Sequence, residues 1–173
     1  MAGIARVITT FECGRACVYC CNKYETLISK AIEIHDIGQV SGYSQVLLTG
    51  GEPMLYPGKI IDYCKRLREC GFKGQIYMYS AKYTPQMYEV LPYLDGIHFT
   101  LHTASWQDLN ELSSLQVMMG ANKDKSYRLY ISPSITQAIT IYPNLWKRVE
   151  VKPWIPEGQC PLPEGETLFK LEE

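Results

Sequence analysis

Short runs rich in β-branched and aromatic residues recur along the chain, separated by stretches of helical period, and this alternation constrains the fold more than any other feature. The runs are residues 5–10 (ARVITT), 45–49 (QVLLT), 75–80 (QIYMYS), 96–102 (GIHFTLH), 127–132 (YRLYIS) and 148–154 (RVEVKPW). Strands joined through helices run parallel, because a parallel pair needs a crossover of a dozen or more residues. Six β-α units are fewer than the eight that close a full barrel. An α/β fold with a partial (β/α)6 barrel of parallel strands is the economical expectation. A doubly wound flat sheet has the same periodicity and stays open.

Between the strands, Ile60, Ile61, Cys64 and Leu67 mark the apolar face of a helix over residues 57–70, with Gly71 placed to end it. Leu27, Ala31 and Ile34 recur at helical spacing and predict a helix over 26–37. A third is expected from Pro85 with Thr84 as its N-cap, and a fourth over 105–119. The link 133–146 holds two prolines and reads as irregular. Residues 1–155 are read as the core, and the acidic, proline-rich 156–173 as a tail that packs over one end or frays.

At 173 residues the chain fits one domain. No apolar run approaches the roughly 18–20 residues that span a bilayer. The net charge of −1 with scattered basic residues offers no electrostatic footprint for duplex nucleic acid or an anionic membrane. The N-terminal residues read without an apolar h-region, so the cytoplasm is the expected compartment. There, clustered cysteines more often bind metal or do redox chemistry than form disulfides.

Four of the seven cysteines fall in ECGRACVYCCNK, residues 12–23. Cys13, Cys17 and Cys20 have C-x3-C-x2-C spacing directly after the first strand, where parallel sheets build their sites. Three thiolates on one short loop can each take a different iron of a cubane and leave one iron open, since such clusters normally take four. Tyr19 precedes the third cysteine and is expected to pack beside the cluster and its ligand. A structural zinc site would need Cys21 as a fourth ligand, and a dithiol redox pair at Cys17 and Cys20 would leave Cys13 without a role. At the end of the second strand come Gly50, Gly51 and Glu52. Glycines there allow close approach to the backbone, and a carboxylate beside them suits an ammonium group. A plain strand-to-loop turn closed by Pro53 is the alternative.

The two motifs together resemble the radical S-adenosylmethionine superfamily, whose signature is a C-x3-C-x-aromatic-C loop followed by Gly-Gly-Glu. The resemblance implies a partial barrel and a [4Fe–4S] cluster on Cys13, Cys17 and Cys20, whose open iron is chelated by S-adenosylmethionine. It also implies that Gly50 to Glu52 hold the cofactor's amino group. One electron, from a flavodoxin- or ferredoxin-type donor, would cleave the sulfonium to methionine and a 5′-deoxyadenosyl radical that takes hydrogen from a substrate. Ser80, Thr100, His102 and Ser132 end their strands where the family binds ribose and carboxylate, an assignment by position only.

The remaining cysteines read differently: Cys64 as a buried thiol, Cys70 and Cys160 as isolated, Cys21 as a packing residue or an influence on cluster potential. Apolar residues of strands four to six alternate with His98, Thr100, His102, Arg128, Tyr130, Ser132, Glu150 and Lys152. Helices must cover the apolar set, so the polar set should face the interior, suggesting a polar substrate. Arg128, Glu150 and Lys152 are equally suited to an ion-pair network among themselves. Three functions compete: an enzyme acting on a polar small molecule, such as those forming 7-carboxy-7-deazaguanine; a glycyl-radical activating enzyme acting on a partner protein; and a non-catalytic iron–sulfur or zinc module.

Overall fold

The computed structural model describes residues 3–15, 17, 20–153, 155 and 160–172. Its centre is one all-parallel sheet of eight strands: β1 Ile4–Ile8, β2 Ile32–Ile34, β3 Gln45–Thr49, β4 Gln75–Ser80, β5 Gly96–Leu101, β6 Ser126–Ile131, β7 Arg148–Val151 and β8 Glu166–Leu171. They lie in the order β2-β8-β1-β3-β4-β5-β6-β7. The six expected strands are present. The count of six is corrected to eight, because two further strands extend the sheet beyond β1.

Both additions overturn a local reading. The helix expected over 26–37 shrinks to α1, Glu25–Ile28, and the chain then runs as β2. Ile32 and Ile34 pair with Phe169 and Leu171 of β8. Period two wins over period 3.6 there because a partner strand arrives from more than 130 residues away. That partner is the supposed tail: residues 166–171 sit inside the sheet between β1 and β2, with Leu168 and Phe169 buried.

The other helices are α2 Pro57–Glu69, α3 Met87–Val90 and α4 Trp106–Ala121. Gly71 ends α2 as expected, at φ +93°, in a Schellman motif: its N–H donates to Arg68 O and that of Phe72 to Leu67 O. Ser105 caps α4, its hydroxyl accepting from Asp108 N at 3.1 Å. Thr84 does not cap α3; its hydroxyl is buried without a hydrogen-bond partner among the described residues, and the helix starts three residues later.

Ile60, Cys64 and Leu67 of α2, Met87 of α3 and Leu115 and Met119 of α4 share one core with alternate strand residues: Val7, Leu48, Met78, Phe99, Leu129 and Phe169. The residues between these point to the opposite face, which carries Arg6, Tyr79, His98, Tyr130 and Lys152 in mutual contact. One sheet face is thus a hydrocarbon core under helices, and the other is polar and aromatic. At β7 the covering stops, and Val149 and Val151 are exposed.

Candidate functional site

The carboxyl ends of β1 and β3 meet in backbone bonds: Thr9 N–H donates to Thr49 O, Gly51 N–H to Thr10 O at 2.7 Å and Glu52 N–H to Glu12 O at 2.8 Å. A Cβ at Gly51 would overlap the Glu12 carbonyl, and one at Gly50, where φ is +130°, would overlap that of Thr10. The approach that requires these glycines is therefore that of the residues leading into the cysteine loop. The second motif docks the first.

Glu52 is 5% exposed. Its Oε1 accepts from Met54 N (3.0 Å) and Ser80 Oγ (2.8 Å), and its Oε2 from Ala81 N (2.8 Å). Burial pushes the carboxyl above its ordinary value, against the opposite pull of the Ala81 and Met54 N–H groups and the Ser80 hydroxyl. The side chain thus ties the loop after β3 to the end of β4, and Ser80 is its partner in doing so. Three of the roughly four lone-pair sites of the carboxylate are thus used, and the spare acceptor capacity lies on Oε2.

Cys13, Cys17, Cys20, Gly50, Gly51, Glu52, Ser80, Thr100 and His102 line one cavity of about 280 Å³. Ser132 does not line it; its hydroxyl lies 2.7 Å from that of Ser134. Tyr19 falls outside the described residues. The three cysteines are free thiols. Among the described residues, no group of three or more His, Cys, Asp or Glu is gathered as around a single metal ion. A cubane, which takes each thiolate on a separate iron, does not ask for that convergence.

Two residues that carry no sequence signal of their own hold the loop in place. Arg15, between the first two cysteines, donates to both carboxylate oxygens of Asp108 in α4 (3.1 and 2.6 Å) and to Ala81 O (3.1 Å). Asp108 also accepts from Thr103 N and Oγ1. Burial alone would raise the Asp108 carboxyl, but the Arg15 and Thr103 bonds outweigh it and hold it below the usual range. His102 Nδ1 lies 4.0 Å from Cys17 Sγ. Burial, then the Arg15 charge, lower His102 to about 4 despite Asp108, so the ring is neutral at neutral pH.

On the polar face the ion-pair network of Arg128, Glu150 and Lys152, one of the two readings open to these residues, does not form. Glu150 pairs with Arg148 at 3.0 Å, its neighbour on the same face of β7. Tyr130 is the register partner of Glu150, and Lys152 lies 4.8 Å above its ring. Cys64 is fully buried and its thiol is pushed up to about 12 by burial, as suits an inert core thiol. Cys160, expected to be isolated, is joined to Cys21 by a disulfide across 139 residues. No local spacing could have paired them.

Compared with known proteins, the chain matches no family model and no curated sequence. Among the described residues no helix is long and apolar enough to cross a membrane.

Proposed function

We propose that the chain is a radical S-adenosylmethionine enzyme on a partial barrel, acting on a polar small molecule. The observation that carries this reading is the common cavity of Cys13, Cys17 and Cys20 with Gly50, Gly51 and Glu52, two motifs 30 residues apart in sequence. An all-parallel sheet with helices packed on one face and a polar, aromatic opposite face supports the barrel form. The donor set suits the group: three thiols for a [4Fe–4S] cluster, with a glycine-lined wall beside them.

When bound, the cluster and S-adenosylmethionine together supply one-electron cleavage and a radical able to take a hydrogen atom. The chain's own residues do the positioning. Cys13, Cys17 and Cys20 hold the cluster. The Gly50-Gly51 backbone and the spare acceptor capacity of Glu52 receive the cofactor's ammonium group, and an ammonium beside it favours the ionised carboxyl that burial disfavours. Thr100 and His102, which line the same cavity, would offer polar contacts to the rest of the cofactor.

The test is anaerobic reconstitution with iron and sulfide, followed by reductant and S-adenosylmethionine, with 5′-deoxyadenosine as the readout. Product is expected from the native chain and from Cys64→Ala, and none from Cys13→Ala, Cys17→Ala or Cys20→Ala. Zinc at one per chain, with no iron retained, would overturn the proposal in favour of a zinc module.

A further inference from the structure

A second cavity, of about 190 Å³, adjoins the first and shares Cys21, Thr49, Tyr79, Lys152 and Ile155 with it. Its remaining lining is largely apolar, including Leu27, Leu162 and Leu168, and it runs along the Cys21–Cys160 disulfide. Two cations border it. Arg6 is already engaged, with its Nε 2.6 Å from Glu166 Oε2 and its guanidinium 5.3 Å from the centre of the Tyr79 ring. Lys152 makes no ion pair among the described residues; its ammonium sits over Tyr130, whose ring is nearly parallel to that of Tyr79. Glu150, the carboxylate of the preceding strand β7, is taken by Arg148.

An apolar cavity lined by a cation that has no ion-pair partner among the described residues complements a ligand with an apolar body and a single negative charge. We propose that this second cavity binds a small carboxylic acid with a flat or apolar body, its carboxylate on Lys152 and its body against Tyr79, Leu162 and Leu168. Calling this molecule the substrate rests on the function proposed above, since the shared wall sets it beside the cysteine cavity. One ammonium is too few donors for a phosphate group, which would call on several. The Tyr79 ring on the cavity wall suits a planar body, because aromatic rings attract the edges and faces of other rings.

Titration calorimetry of the full, disulfide-intact chain with benzoate, and with benzamide as its uncharged isostere, tests the assignment. Benzoate should saturate with Kd on the order of 1 mM, as suits a ligand of so few atoms. Benzamide should bind at least about tenfold more weakly. Lys152→Met should abolish the difference between the probes, and Lys152→Arg should keep it. Equal binding of the two probes, no saturable benzoate binding, or a benzoate preference that survives Lys152→Met overturns the proposal. Neither probe needs iron or S-adenosylmethionine, so failure here is distinct from failure to form 5′-deoxyadenosine.

Discussion

Replacing Asp108 by Asn removes one charge from the pair that pins the cysteine loop to α4, while nearly preserving shape. The Asp108 side chain is 7% exposed and that of Arg15 28%, so the lost partner leaves a guanidinium that water reaches only in part. Breaking a fully buried pair costs about 3–5 kcal/mol; with one partner more than a quarter exposed, about 2–3 kcal/mol is expected. At a urea m-value of roughly 2 kcal/mol/M, the unfolding midpoint falls by about 1 M or slightly more. A double-mutant cycle with Arg15→Met should return a coupling energy of at least about 1 kcal/mol, because the two residues share one set of bonds. The carboxyl is held below its ordinary value, so its contribution is complete above about pH 4 and is lost as pH falls through the lowered value. Urea curves at pH 7 and pH 3 for native and variant chains measure both effects. A variant within about 0.5 kcal/mol of the native chain at pH 7 would refute the claim that this pair holds the loop.

Gly51→Ala should cost about 2 kcal/mol or more, since its Cβ meets backbone that cannot swing aside, while Gly58→Ala, with open space around it, should change stability by less than about 1 kcal/mol; urea unfolding compares the two. Burial, followed by the charges of Arg128, Arg6 and Lys152, lowers His98 to about 4, so the native chain resists a proton that the unfolded chain takes up below about 6.5. The folded value is the lower one, so stability is lost as pH falls from 6.5 towards 4. The native chain should lose about 3 kcal/mol more than His98→Phe over that window, measured by chemical denaturation. Reduction of the Cys21–Cys160 disulfide frees a 139-residue separation, for which chain entropy sets an upper figure of about 5 kcal/mol. Denaturation with and without reductant should differ by about 2–5 kcal/mol, and Cys160→Ser should remove the difference.

Much of the site was legible because its motifs are contiguous. Cys13, Cys17 and Cys20 share one loop, and Gly50 to Glu52 end one strand, so local spacing was enough to nominate both. Their purposes were less legible. The glycines read as room for a ligand, and the structure adds a second demand on them, the close approach of the Thr10 to Glu12 backbone. Ser80 looked like a cofactor contact and is bonded to Glu52. Arg15 was one basic residue among 17 lysines and arginines until the fold brought Asp108 to it across 93 positions.

The order of apolar and polar residues was sufficient by itself to determine six parallel strands, the main helices α2 and α4, and which residues of β5 and β6 meet the helices, though not that Val149 and Val151 of β7 stay uncovered, because period is a local consequence of side-chain alternation and cover is not. Tertiary structure alone decided that residues 32–34 and 166–171 become strands, that Cys21 meets Cys160, and that Lys152 rests on Tyr130 rather than joining an ion-pair network. Each of these depends on a partner supplied by another element. Pairing across such distances is set by how the whole sheet closes its hydrogen bonds and buries its apolar face, and no window of sequence contains both halves of that bargain.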